Sequence, residues 1–142
     1  MRPIAPGLTL RQAAERHLAE FARLHGLDYR LDLGAEQDQG GPRDRELDAV
    51  LFRALQESLS NVACHAQASY VRVTLVESAR ELTLTVEDDG VGLAQPLRQG
   101  CGLEAMQERA AAYGGTVRLS AGRHGGAMVR VSMPTRPEPA PA

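Results

Sequence analysis

The stretch QESLSNVACHA, residues 56–66, decides how this chain is read. It closes a long segment, residues 44–66, in which Leu47, Val50, Leu51, Ala54, Leu55, Ser58, Leu59 and Val62 recur at three-to-four spacing. That spacing predicts one helix with a continuous buried stripe. Glu57, Asn61 and His65 are four apart on another azimuth, so they form a polar ridge of carboxylate, amide and imidazole beside the buried face. Carboxylate and amide oxygens suit a hard cation such as Mg²⁺, which keeps waters and phosphates in its remaining positions. Taken alone, an E-x-x-x-N spacing is more often a solvated helix face.

Upstream, residues 10–25 read as an amphipathic helix carried by Leu10, Ala14, His17 or Leu18, Phe21 and Leu24. Thr9 is its expected N-cap and Gly26 its stop. Leu27, Tyr29, Leu31 and Leu33 alternate with polar residues and predict a half-buried strand. Residues 34–42, rich in Gly, Gln and Asp, read as a loop.

Downstream, residues 70–76 and 82–87 alternate as two strands joined by a short turn, which predicts an antiparallel hairpin. Residues 88–102, DDGVGLAQPLRQGCG, form a glycine-bearing loop. A helix over 103–113 follows, stopped by Gly114-Gly115. Strands over 116–121 and 127–133 close the fold around a turn at 122–126. The order predicts a two-layer α/β (α+β) sandwich, with about five strands in a mixed sheet and three helices on one face. One domain over 1–134 and a disordered Pro/Ala tail over 135–142 are expected.

Composition excludes several chemistries. Sixteen basic and eighteen acidic residues leave a formal net charge of −2, against a general nucleic-acid binder. No lysine occurs. A G-x-x-x-x-G-K-[ST] phosphate loop, Schiff-base chemistry and a lysine nucleophile are therefore excluded. Cys64 and Cys101 have no metal-type spacing and read as free thiols of a reducing cytoplasm; a redox role for Cys101 is the sharper alternative. Residues 1–6 lack the positive-then-apolar pattern of a signal peptide, so none is expected, and no apolar run approaches the roughly 18–20 residues that span a bilayer.

Two further motifs carry chemistry. Asp88-Asp89-Gly90-Val91-Gly92 follows a strand directly, so a carboxylate can project into a pocket with little obstruction. A carboxylate only accepts hydrogen bonds, which suits the adenine amino group and opposes the carbonyl edge of guanine. Gly100-Cys101-Gly102-Leu103 opens a helix whose free N–H groups attract phosphate. Each motif is weak alone.

Together, and in this order, they are specific. QESLSNVACHA resembles the N box of the GHKL, or Bergerat-fold, ATPases, in the sensor-kinase form N-V-x-x-H-A. DDGVG (88–92) resembles the G1 box, and GCGLEAMQER (100–109) the G2 box. GGTVRL (114–119) and GGAMVRVSMP (125–134) are similar to the closing hairpin, and residues 8–33 to the opening helix and strand.

The resemblance implies the ATP-binding catalytic domain of a two-component sensor histidine kinase. It implies that Asp88 accepts from the adenine amino group, that Asn61 binds Mg²⁺, and that Glu57 acts through metal-bound water or as a base toward the acceptor histidine. It implies that His65 contacts phosphate or metal and that Gly90 and Gly92 shape the pocket floor. Gly100 and Gly102 would hinge a short lid over residues 91–99, with Leu103 and Ala127 beside the nucleotide and Arg98 a candidate phosphate contact. The cofactors implied are ATP and Mg²⁺.

The sequence departs from the family at Cys64, where a basic residue is frequent, and at Gly126-Ala127, where Gly-Thr is usual. None of His17, His25, His65 and His124 sits in the phosphoacceptor context. The expected partners are therefore the dimerisation and phosphoacceptor helices of a sensor kinase and, through them, a response regulator. No direct nucleic-acid or membrane contact is expected, and the isolated domain is expected to be a cytoplasmic monomer. A serine kinase of the anti-sigma type and a nucleotide-gated interaction module are the alternatives on the same fold.

Overall fold

The computed structural model describes residues 2–34, 45–91, 103–123 and 125–135, with only the backbone of residues 65 and 66. Among them the element order is α1 (Leu10–His25), β1 (Asp28–Leu33), α2 (Arg45–Asn61), a π-helical turn (Val62–Ala66), β2 (Tyr70–Glu77), β3 (Glu81–Asp88), α3 (Leu103–Ala111), β4 (Thr116–Ala121) and β5 (Ala127–Pro134). Three helices and a five-stranded mixed sheet are the architecture that the residue pattern predicts.

The strands lie in the order β1-β2-β3-β5-β4. β1 runs parallel to β2, with Leu31 opposite Val73; the other pairs are antiparallel. A parallel pair needs a long crossover. Here α2 provides it, and that brings the C-terminal end of α2 to the sheet end where β3 finishes. β2 and β3 form the expected hairpin, its turn held by Ser78, whose N–H and hydroxyl both donate to the Glu81 carbonyl.

One sheet face is apolar. Val71, Val73, Leu75, Leu82, Leu84, Val86, Val117, Val131 and Met133 are buried against Leu51, Leu55 and Leu59 of α2 and Leu18 of α1. Removing a side chain such as Leu59, which is fully buried, would cost about 2–5 kcal/mol. The opposite face carries Asp32, Arg72, Thr74, Thr85 and Arg130, the solvated alternates of the same strands.

α1 starts as expected. The Thr9 hydroxyl accepts from Gln12 N at 3.1 Å and Gln12 Oε1 accepts from Thr9 N at 3.0 Å, a reciprocal capping box. Gly26 ends it in the left-handed conformation at φ 64°.

Three details differ from expectation. Leu24 of the α1 stripe is 65% exposed, whereas Phe21 and Ala22 of the same last turns are buried, so the buried face of α1 does not include Leu24. Tyr29 is 45% exposed, since β1 is an edge strand and its first half lies beyond the helical layer. The helix expected through residue 66 is α-helical only to Asn61 and then widens into a π turn, which a residue pattern of α periodicity does not reveal.

Candidate nucleotide-binding site

The end of α2, the end of β3, the first residue of α3 and the facing ends of β4 and β5 enclose one cleft. Ser58, Asn61, Val62, Val86, Asp88, Leu103, Leu119, Ala127 and Val129 line it. The walls are apolar. The polar groups are three: a hydroxyl, an amide and a carboxylate. Such a lining suits a flat heteroaromatic ring held by a few oriented hydrogen bonds.

Asp88 is buried at the last position of β3. Its Oδ1 accepts from Gly90 N at 2.8 Å and from Ala127 N at 3.4 Å, which fixes the carboxylate. Among the described residues Oδ2 has no hydrogen-bond partner, so one acceptor is left for a ligand. Gly126 makes this arrangement possible. A Cβ there would lie 1.9 Å from the Asp88 carbonyl oxygen and 2.5 Å from Oδ1, so only glycine lets the β5 backbone come so close.

Asp89 points the other way and braces the same corner. Its Oδ1 accepts from the backbone N–H groups of Ser69 (2.9 Å) and Tyr70 (3.0 Å), and Oδ2 accepts from the Ser69 hydroxyl (2.8 Å). Burial pushes the Asp89 carboxyl up, but these donors outweigh it and hold the group below the ordinary aspartate value. The neighbouring acidic residue Glu87 is also buried, its Oε1 accepting from Arg123 N at 2.7 Å.

Glu57 lies one turn before Asn61 on α2 but is not part of the cleft lining. Its Oε2 accepts from Arg109 Nη2 of α3 at 2.5 Å, and Arg53 Nε lies 3.4 Å from Oε1. Two guanidinium groups thus occupy the carboxylate.

The structure therefore brings together Asn61, Asp88, Gly90, Leu103 and Ala127 and sets Glu57 beside them. The α-helical ridge runs from Glu57 to Asn61 only, because the π turn begins at Val62. The His65 side chain, Gly92, Gly100, Gly102, Arg98 and Cys101 lie outside the described residues. Cys64 is exposed with a free thiol. Residue patterns missed Arg109 although it stands inside the GCGLEAMQER stretch, and they placed Ser58 in the apolar stripe. The hydroxyl among leucines was the available signal for Ser58. Gly126 stands in the sequence as the glycine of the family's closing pair, but why glycine is needed there is visible only through the close approach of its backbone to Asp88.

For a magnesium ion the fit is that of a shared site. Among the described residues no group of three His, Cys, Asp or Glu side chains could hold a metal. Asn61 stands on the cleft lining, and a single protein oxygen is what Mg²⁺ needs when phosphates and waters complete its shell.

Residues 47–137 match the family described as histidine kinase-, DNA gyrase B- and HSP90-like ATPases. The chain belongs to this family. It is 37% identical over 131 residues to the signal transduction histidine-protein kinase/phosphatase UhpB of Salmonella typhimurium, covering 91% of this chain and 25% of that protein. It is 33% identical over 141 residues to the sensor histidine kinase LiaS of Bacillus subtilis, covering 97% of this chain and 38% of LiaS. The chain thus spans well under half of either relative. Among solved structures it is similar to the ATP binding domain of PrrB from Mycobacterium tuberculosis, with a TM-score of 0.69 at 25% identity over 87% of this chain and 91% of that one. The histidine kinase domain of the blue-light activated kinase of Erythrobacter litoralis EL346 shares the fold, with a TM-score of 0.71 at 18% identity over 95% of this chain and 65% of that one. Family membership makes the domain an ATP-binding one.

Proposed function

We propose that this chain is the catalytic domain of a two-component sensor histidine kinase, that it binds Mg-ATP in the cleft, and that it presents the γ-phosphate to a histidine on a separate dimerisation segment. One observation carries the reading: a buried aspartate on the floor of an apolar cleft, its Oδ1 tied down by two backbone donors and its Oδ2 left to accept from a ligand. In this reading Asp88 accepts from the adenine amino group, and Val62, Val86, Leu119 and Val129 sandwich the ring. Gly90 and Ala127 hold the carboxylate in register, and Leu103 begins the helix beyond the phosphates. The Asn61 amide oxygen would hold the magnesium ion, which when bound neutralises phosphate charge. By the resemblance to the GHKL sensor kinases, His65 contacts phosphate or metal, Gly92 shapes the pocket floor with Gly90, and Gly100 and Gly102 hinge the lid. Positioning and electrostatic stabilisation are most of what such a domain contributes to phosphoryl transfer, with Glu57 as the candidate base toward the acceptor histidine.

The phosphoacceptor helices of a sensor kinase are the direct partner, and a response regulator is the indirect one. Among the described residues no helix is long and apolar enough to cross a membrane. We place the domain in the cytoplasm, where ATP and response regulators are found.

A titration of the chain with a non-hydrolysable ATP analogue, with and without Mg²⁺ and with the GTP counterpart alongside, tests the reading. Magnesium-enhanced, adenine-selective binding is expected. Equal binding of the GTP analogue would remove Asp88 from its role.

One observation favours a second reading. The Glu57 carboxylate is already committed to Arg109 and Arg53. A domain in which it stays so would bind ATP and change its contacts with a partner without transferring phosphate. Binding of Mg-ATP with no transfer to any supplied acceptor segment would select that alternative.

A further inference from the structure

We infer that Ser58 reads the second hydrogen-bonding position of the adenine edge, and so completes the base specificity that Asp88 alone cannot supply. The inference rests on the nucleotide reading of the cleft. The edge of adenine beside its amino group presents two unlike groups. The amino group donates and ring nitrogen N1 accepts. Asp88 can serve only the first directly, since a carboxylate oxygen and N1 are both acceptors.

The cleft lining contains two other polar side chains. Asn61 is at the far end of α2, where the helix widens. Ser58 lies almost one turn deeper and is fully buried, at 2% exposure. Among the described residues its hydroxyl has one partner, the thioether of Met106 at 4.0 Å. A thioether is a weak acceptor. A hydroxyl buried with so poor a partner costs stability unless a ligand or a water uses it. Across the cleft Ala127 offers only its backbone N–H, and that already donates to Asp88 Oδ1. The Ser58 hydroxyl is therefore the side-chain donor in this lining placed to serve N1, directly or across one water.

The test is a binding cycle on the whole chain: wild type, Ser58→Ala and Asp88→Asn, each titrated with Mg-ATP and with Mg-1-deaza-ATP, in which N1 is replaced by C–H. In the wild type the deaza analogue should bind about 3–10-fold more weakly than ATP, the range of one hydrogen bond. Ser58→Ala should bind ATP more weakly by a similar factor and no longer distinguish the two nucleotides. Equal loss for both nucleotides, or no loss at all, would overturn the assignment, because a hydroxyl that merely packs has no reason to sense N1. Asp88→Asn separates the two levels. If it loses ATP while Ser58→Ala still discriminates as the wild type does, Ser58 alone is wrongly assigned. If it binds ATP as the wild type does, the adenine site lies elsewhere and both assignments fall.

Discussion

Arg109 Nη2 on α3 donates to Glu57 Oε2 on α2 at 2.5 Å, in a contact that leaves the Glu57 side chain 11% and the Arg109 side chain 26% exposed. Arg53 adds a second, more exposed guanidinium on the other oxygen. The pair joins the helix that carries Asn61 to the helix that follows the 92–102 segment, and so adds an ionic tie between the two flanks of the cleft to the Ser58–Met106 contact. Breaking a fully buried pair costs about 3–5 kcal/mol and an exposed one about 0–1 kcal/mol. Arg109→Ala should therefore lower stability by about 1–3 kcal/mol in urea unfolding, whereas Arg53→Ala should stay within about 0.5 kcal/mol of wild type.

The same pair bears on chemistry. If Glu57 acts as a base toward the acceptor histidine, Glu57→Gln should reduce transfer to a supplied phosphoacceptor segment by about 10²–10⁴-fold with ATP affinity held within a few-fold. Single-turnover transfer measured beside calorimetric affinity checks this. A rate within a few-fold of wild type would leave Glu57 as a tie between helices and nothing more.

Asp89 supports the corner in which Asp88 sits, through three hydrogen bonds to Ser69 and Tyr70. Asp89→Ala should cost about 1–2 kcal/mol, the worth of charge-assisted bonds at a partly solvated site. Its carboxyl is held below the ordinary value of 3.8, so the folded state favours the ionised form. That contribution is fully present above pH 3.8 and is lost as pH falls through the lowered value. Acid unfolding of the wild type followed by circular dichroism should begin at lower pH than that of Asp89→Ala.

The architecture was legible because each strand and helix has its own period. Val71, Val73 and Leu75 alternate, Leu51, Leu55 and Leu59 step by four, and both sets are buried. Leu24 and Tyr29 satisfy the same local rules yet are exposed, since burial depends on which face the neighbouring layer covers and where it ends. In the site, Asp88 was legible because a carboxylate at a strand end before glycine stands out. The Arg109–Glu57 pair joins residues 52 positions apart, and no local pattern encodes such a contact. Gly126 belongs to the same class, for its necessity is set by β5 passing beside β3.

His17 packs edge-on against Phe52, with ring centroids 5.7 Å apart at 77°. Burial pushes its imidazole below the ordinary value of 6.5, and the Glu20 carboxylate opposes that only in part. The folded state thus binds a proton less readily than the unfolded chain does. Stability from this group is fully present above pH 6.5 and falls as pH is lowered toward the depressed value. His17→Phe keeps a ring against Phe52 and removes the titration. Unfolding free energies of this variant should vary less than those of the wild type between pH 7.5 and about 5.5; equal slopes would place the histidine in solvent.

Gly126 gives the sharpest steric prediction. In Gly126→Ala the new methyl group would meet the Asp88 carbonyl oxygen at 1.9 Å and its side-chain Oδ1 at 2.5 Å. One of these atoms is backbone in a paired strand and cannot rotate away, so β5 must separate from β3 at the floor of the cleft. Overpacking of this kind costs about 1–3 kcal/mol, and here the strain falls on the residue assigned to the base. Gly125 is the control. It has φ 89° and open space around its Cβ position, so Gly125→Ala should lose about 1–2 kcal/mol to backbone strain alone. Both variants should therefore unfold at lower urea, but only Gly126→Ala should lose ATP affinity, by at least tenfold, when titrated under conditions where both are folded. Equal affinity in the two variants would mean that the Asp88 carboxylate is not held against β5 when nucleotide binds.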